Sequence, residues 1–245
     1  MKDARAVLPR ELLDAFMAGH FGYGNLAAPV WFVGMEEHGG HREQEIALRL
    51  AAWSNLGRRV VSDVRDYHHA IGVDDHWVER PPIQPTWGRL IRVLLASKGL
   101  VPDTESVRAY QRDRLGRADG ESCLLELMPL PAPGIGSWPY RQFSDNPALT
   151  AREAYIRHVL PARVAQLRAL IHEHRPHTVV FYGTSYLAHW EAIADAKLAE
   201  IETGIRAGRA ADTLFVAARH PAARGTSGAE FERVGAIVAR GLTPG

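Results

Sequence analysis

The sequence predicts an α/β fold, a three-layer αβα sandwich around a central, mostly parallel four-stranded sheet. Three observations predict it. Four short apolar runs, at residues 30–33, 122–128, 178–183 and 213–218, are too short for helices and rich enough in Val, Phe and Leu to be strands buried on both faces. Stretches with apolar residues at helical spacing lie around them, and strands alternating with helices close into a parallel sheet through right-handed crossovers that cover both faces. The length, 245 residues, suits one large α/β domain, residues 1–245, and no internal repeat or low-complexity tract divides it.

From the amino end, residues 9–21 place Leu12, Leu13, Phe16 and Met17 at helical spacing, and Gly19 or Gly22 closes the predicted helix. Gly22-Tyr23-Gly24-Asn25 leads into the first strand. Residues 42–55 carry Ile46, Leu48, Leu50, Ala51 and Trp53 among charges, as an amphipathic helix does. Residues 57–82 show no period and read as a long loop, a kind that often serves as a functional lid. Pro85 and Thr86 open a strong helix through Leu95 that Lys98-Gly99 closes. A polar stretch, 102–121, precedes the second strand, and a rigid proline-rich loop follows it. Thr150 with Glu153 resembles a capping box opening a long helix toward His174, and Pro161 predicts a kink or a break into two helices. Arg175-Pro176-His177 ends it before the third strand, the clearest in the chain. Residues 186–198 read as the next helix. A short arginine-bearing connection leads to the fourth strand, and residues 227–240, with Phe231, Val234, Ile237 and Val238, form the last helix.

Composition removes several function classes. With 29 Lys plus Arg against 28 Asp plus Glu, the net charge of +1 gives no overall pull toward a polyanion, so any nucleic-acid contact must be local. Arginine greatly outnumbers lysine, which suits bidentate phosphate contacts but also follows from GC-rich codon usage. No segment approaches the roughly 20 apolar residues of a membrane span. Met1-Lys2-Asp3-Ala4-Arg5 opens no apolar run of the kind a secretory signal needs, so a cytoplasmic location is expected. The single cysteine, Cys123, cannot form an internal disulfide or a four-thiolate iron–sulfur cluster.

The candidate chemistry sits at strand ends. Val30-Trp31-Phe32-Val33-Gly34-Met35-Glu36-Glu37-His38 is an apolar run that ends in two carboxylates and an imidazole, at the carboxyl edge where open α/β sheets bind ligands. The plain alternative is a strand-to-loop turn with solvated glutamates. Far downstream, Ala217-Ala218-Arg219-His220-Pro221 is a second polar strand end. Glu126, inside an apolar run, must be paired, protonated or aimed at a ligand, because an unpaired buried charge costs several kcal/mol or shifts its own pKa. Trp87, in the first turn of its helix, stacks on a planar ligand or packs into the core. Residues 132–141 mix glycines, Trp138, Tyr140 and Arg141, a composition suited to bases and phosphates and equally to an inert loop. His68, His69 and His76 lie beside several aspartates, but adjacent His68 and His69 point in different directions on a helix or a strand, which is poor zinc-ligand spacing. They read as surface histidines, and no metal is expected.

The order of these motifs resembles the uracil-DNA glycosylase superfamily. The resemblance spans roughly residues 28 to 240 as four short motifs: a strand ending Gly34-Met35-Glu36-Glu37, a middle strand ending Leu125-Glu126-Leu127-Met128-Pro129, a strand ending Phe181-Tyr182-Gly183, and a last strand ending Arg219-His220-Pro221. It implies a DNA-repair enzyme without cofactor, acting as a monomer on uracil in single- or double-stranded DNA. Glu36 stands where the family's first motif carries the residue that positions the attacking water, with Glu37 in place of a proline. His220-Pro221-Ala222 keeps the last motif's histidine and proline but lacks its serine. Glu126 stands about where an asparagine faces the uracil edge, a departure that bears on selectivity. Ile83 falls near the position that stacks on the flipped base, with Trp87 its aromatic neighbour.

The resemblance thus implies Glu36 and His220 as catalytic residues, and Gly34, Met35, Glu37, Ile83, Trp87 and Glu126 as base-binding. Arg141, Arg219 and Arg224 are the candidate DNA contacts. Cleaving the C1′–N bond develops positive charge on the sugar and negative charge on the departing base, and the site must meet both away from competing solvent. Two other classes remain open: a non-catalytic nucleic-acid or nucleotide-binding protein of the same fold, and a small-molecule hydrolase using Glu36, Glu37 and His38 on a metal.

Overall fold

The apolar runs pair into one sheet, and their alternation sends successive side chains to opposite faces. A computed structural model describes residues 8–134 and 136–242. Residues 1–5, from which no secretory signal is expected, and Ile135 of the glycine and aromatic loop lie outside them. The chain runs α1 (Arg10–Gly19), β1 (Gly22–Gly24), β2 (Val30–Gly34), α2 (Glu43–Asn55), β3 (Val61–Ser62), α3 (Val64–Ala70), α4 (Pro85–Ser97) and α5 (Thr104–Asp113). It continues through β4 (Ser122–Glu126), α6 (Tyr140–Phe143), α7 (Arg152–His174), β5 (Thr178–Tyr182), α8 (Leu187–Ala194), β6 (Ala199–Glu202), β7 (Ile205–Ala210), β8 (Thr213–Ala218) and α9 (Gly228–Leu242).

The fold is α/β, but the sheet is mixed and eight-stranded, in the order β3-β1-β4-β2-β5-β8-β7-β6, where a four-stranded sheet was expected. The expected strands are the contiguous inner set β4-β2-β5-β8, parallel to one another within that set, while β4 and β8 are antiparallel to their outer neighbours β1 and β7. Trp31, Val33, Cys123, Leu125, Val179, Phe181 and Phe215 enter one core, with α1, α2, α7 and α8. Val30, Phe32, Leu124, Val180, Leu214 and Val216 enter the other, under α4, α5 and α9. This period of two is what a strand buried on both faces produces. No helix among the described residues is long and apolar enough to cross a membrane.

The four additional strands lack the signals that make strands legible. β1 is Gly-Tyr-Gly, and glycine is depleted in strands. Here it is required: a β-carbon on Gly22 or Gly24 would meet the Leu124 or Ser122 carbonyl of β4, and both residues have positive φ, 137° and 111°. β6 and β7 form a charge-rich antiparallel hairpin in the segment taken from sequence as a connection; β6 is exposed at the sheet edge, and β7 is half-buried with Ile205 in the second core, too little to impose an apolar alternation.

Other expectations change for local reasons. Pro161 does not split α7, which runs unbroken through 23 residues; the proline is exposed, so solvent can serve the Arg157 carbonyl that loses its helical donor. The capping box does not form. Ala151 is the N-cap without a side-chain bond, and Thr150 Oγ1 instead donates to the Pro147 carbonyl at 2.9 Å. The unpatterned segment 57–82 contains β3 and α3, the latter capped by Asp63, which accepts from the Arg65 and Asp66 amides at 3.0 and 3.2 Å. α5 lies in the polar stretch, capped by Asp103.

One buried cation ties the site edge together. Arg163 of α7 donates to the Leu127, His20 and Glu126 carbonyls at 2.9, 2.9 and 2.7 Å, and its guanidinium lies 3.4 Å from the Phe21 ring centre. Burial presses its pKa down to about 9, against the fields of Tyr155 and Glu126. Arg163→Met keeps the aliphatic volume and strands three carbonyls, so we expect a loss of about 3–5 kcal/mol, from roughly 1–3 kcal/mol per unsatisfied buried group with partial relaxation. A denaturant midpoint unchanged from the parent would contradict it.

Candidate functional site

Because β4, β2, β5 and β8 run parallel, their carboxyl ends share one edge of the sheet, and each delivers a polar residue there. β2 leads into Glu36, Glu37 and His38, β4 ends at Glu126, β5 ends at Tyr182, and β8 leads into His220. All six line one cavity of about 390 Å³, together with Tyr23, Arg49, His68, His76 and the start of α4 at Gln84, Thr86 and Trp87.

Gly34 makes the assembly possible. It pairs with Glu126 across the β2–β4 ladder, and a β-carbon on it would overlap the ring and hydroxyl of Tyr182. Glycine thus lets the phenol of β5 cross the end of β2 and donate to Glu126 Oε1 of β4 at 2.7 Å. One side-chain hydrogen bond thereby joins β5 to β4 across the end of β2.

The three glutamates are held differently. Glu36 Oε1 accepts from Arg152 Nη2 at 2.5 Å, in an ion pair whose side chains are 13% and 9% exposed, and Glu36 Oε2 is buried without a partner among the described residues. Glu37 pairs with Arg49 at 2.6 Å. Burial alone would raise the Glu37 pKa, but the Arg49 guanidinium, helped by His68, outweighs it and holds the carboxyl below its usual range. Glu126 has no such cation. Burial, reinforced by the fields of Glu37 and Glu36, pushes it up to about 8, against the Tyr182 hydrogen bond and Arg163.

That shift has a sign. Between the ordinary carboxylate range and about pH 8 the unfolded chain would give up this proton while the folded chain keeps it, so folded-state stability falls as pH rises through that window. Glu126→Gln removes the titration. We expect the variant to melt above the parent at pH 8.5 and level with it at pH 4, by a few degrees, since about 1 kcal/mol moves Tm by roughly 2–4 °C at this size. A gap that does not widen with pH in calorimetry would refute the assignment.

His220 is half-buried, and burial lowers its pKa, favouring the neutral ring. Its Nδ1 accepts from the Ala222 amide at 3.1 Å, which leaves the neutral ring's proton on Nε2. The imidazole stands edge-on to Tyr182 at 5.6 Å between ring centres. Opposite, Trp87 makes edge contacts with His76 at 4.9 Å and His68 at 5.5 Å and packs on Trp77 at 6.0 Å, forming an aromatic wall. His68 and His76, expected as surface residues of a mobile loop, are partly buried here, and burial lowers both pKa values. His69 is exposed and meets Asp74 at 2.7 Å. Among the described residues no group of three or more His, Cys, Asp or Glu is placed to hold a metal ion.

The structure therefore brings Glu36, Glu37, Trp87, Glu126 and His220 to one cavity. Gly34 stands under Tyr182 rather than in the lining, and Met35 is buried in the core. Ile83 does not line the cavity; it packs over Gly88 against the second core. Arg219 points away, to Glu230 at 2.9 Å through Nε and to the same carboxylate through Nη2. Arg141 is exposed in a separate depression with Trp138, and Arg224 is exposed on the turn after His220.

Arg49, Arg152 and Tyr182 are site residues that sequence reasoning did not single out. The two arginines sit on helices far from the motifs, among many others, so no local signal marks them. Tyr182 had one, as a hydroxyl ending an otherwise apolar strand. Comparison of the chain with protein-family models and with curated proteins gives no match.

Proposed function

We propose that this protein is a DNA glycosylase of the uracil-DNA glycosylase type, hydrolysing the N-glycosidic bond of uracil, and of other deaminated bases, in DNA. The observation that carries the reading is that Glu36 and His220, from opposite ends of the chain, line one cavity together with Glu126 and Tyr182. The parallel set β4-β2-β5-β8, with helices over both faces, supports the finer fold assignment, a glycosylase-like αβα sandwich. A volume of about 390 Å³ falls within the range of pockets for small ligands.

In this mechanism the target nucleotide leaves the stack, which costs a few kcal/mol and is cheapest for mispaired or single-stranded bases. Its base enters beside the aromatic wall of Trp87 and His68. Glu36, anchored by Arg152, orients the attacking water and sets negative charge beside the oxocarbenium-like sugar. The Nε2–H of neutral His220 donates to the base oxygen as negative charge develops there. Arg141 and Arg224, both exposed, are available to backbone phosphates.

The test is release of free uracil from a single-stranded, uracil-containing oligonucleotide in the presence of a chelator. Release is expected, leaving an abasic strand. No release, or release that the chelator abolishes, would overturn the proposal. Binding without release would instead fit a non-catalytic member of the same fold.

A further inference from the structure

A second concentration of charge lies at the opposite edge of the sheet. Pro29 precedes β2 and Gly120 precedes β4, so the cleft that both line, about 560 Å³, opens at the amino ends of strands whose carboxyl ends face the cavity. Its walls are charged: Arg65 of α3, Arg112 and Asp113 of α5, and Arg114, Arg117, Asp119 and Glu121 beyond it. Most of these charges are matched. Arg112 holds Asp113 through two bonds of 2.8 Å, Glu121 accepts from Lys98 and, at 2.7 Å, from Tyr110, and Arg117 meets Asp63 at 3.2 Å. The Arg112 bonds keep the Asp113 carboxyl below its usual range against its desolvation, and the fields of Arg114 and Arg65 reinforce them. The side chains of Arg65 and Arg114 are exposed and make no hydrogen bond or ion pair among the described residues, and Asp119 is the one lining acid without a side-chain partner there.

Two free guanidinium groups in an open polar cleft suit phosphate, whose oxygens match the planar fork of arginine two at a time. A protein partner fits less well, because the apolar lining is limited to Ala27, Ala28 and Pro29 and offers no pocket for an aromatic or aliphatic anchor. α3 connects the cleft with the cavity. Arg65 lines the one, and His68, three residues later on the same helix, lines the other. The helix has 7 residues and so spans about 10 Å, which a stacked strand covers in roughly three nucleotides at about 3.4 Å each. We propose that Arg65 and Arg114 form a nucleic-acid track: with a base in the cavity, the strand leaves over α3 and seats its backbone phosphates on these two guanidinium groups. The proposed function supplies the nature of the strand, and the track extends its contact to the far edge of the sheet.

The experiment compares the full chain with Arg65→Gln/Arg114→Gln in two assays. In the first, fluorescence anisotropy follows binding of a single strand of about 16 thymidines across a salt series. The double variant is expected to bind about tenfold more weakly near 0.1 M salt, with the slope of log K against log salt shallower by about 1.4, at ~0.7 per phosphate released. Arg65→Lys/Arg114→Lys, which keeps the charge, should retain most of the affinity. In the second, uracil release is measured from strands of about 16 and about 4 nucleotides: the glutamine variant should raise KM about tenfold on the long strand, leave it unchanged on the short one, and leave kcat unchanged on both. Parent-like binding of the long strand by the glutamine variant overturns the track even if release is intact, as does an equal rise in KM on both strands. Calorimetric binding of inorganic phosphate that needs Arg65 and Arg114, with long-strand affinity unaffected by their loss, marks a small-anion site and also overturns it. If the parent releases no uracil but its long-strand binding depends on both arginines, the proposed function fails and the track stands. A parent that neither binds the long strand nor releases uracil overturns both.

Discussion

His220→Ala is expected to lower uracil release by about 10²–10³-fold, the usual effect of removing one donor to a developing anion. The reason lies in how the ring is held. Nδ1 is occupied by the Ala222 amide, burial keeps the imidazole neutral, and Nε2–H is the remaining donor. His220→Gln, whose amide can supply an N–H, should recover part of the loss. Glu36→Gln should lower release by about 10²–10⁴-fold, the range for a lost general base. Glutamine can still accept from Arg152, so the buried guanidinium is not stranded and the variant should fold. Single-turnover assays at saturating enzyme isolate these effects on the chemical step. Parent-like rates in both variants would remove the mechanism, provided their melting temperatures match the parent's.

Gly34→Ala is expected to disrupt the carboxyl edge of the sheet at the site. The added methyl would occupy the space of the Tyr182 ring, at the end of a strand buried on both faces and flanked by β4 and β5. Overpacking of this kind costs about 1–3 kcal/mol, and expelling the phenol also breaks its bond to Glu126. Pairing Gly34→Ala with Tyr182→Leu should restore part of the stability without restoring base release. In a double-mutant cycle the two positions should therefore couple by more than about 0.5 kcal/mol. Strict additivity in denaturant melts would show that Tyr182 does not need the empty side of Gly34.

Much of the fold is legible because buried strands must be apolar and short. Residues 30–33, 178–182 and 213–218 announce themselves in that way, and the helices around Leu90 and Phe231 through their spacing. What escaped was built from residues whose role is relational. Gly22 and Gly24 read as the end of a helix and the lead-in to the first strand, and serve as a strand because β4's backbone comes so close. The β6–β7 hairpin carries charge, with β6 on the exposed edge and β7 half-buried, and so lacks the alternation that full burial of one face imposes. Arg219 illustrates the converse: it flanks a motif histidine, yet Glu230 of α9 takes its guanidinium.

From sequence alone came the alternation of strands and helices, and with it the carboxyl-edge location of Glu36, Glu126 and His220, since strand direction and the residue after the last apolar position are local properties. Tertiary structure alone decided the electrical state of that edge. Glu36 is anchored by Arg152, Glu37 is neutralised by Arg49, and Glu126 is left to burial, because a charge's partner is chosen by distance in space and three similar carboxylates are indistinguishable until the helices carrying those arginines have docked.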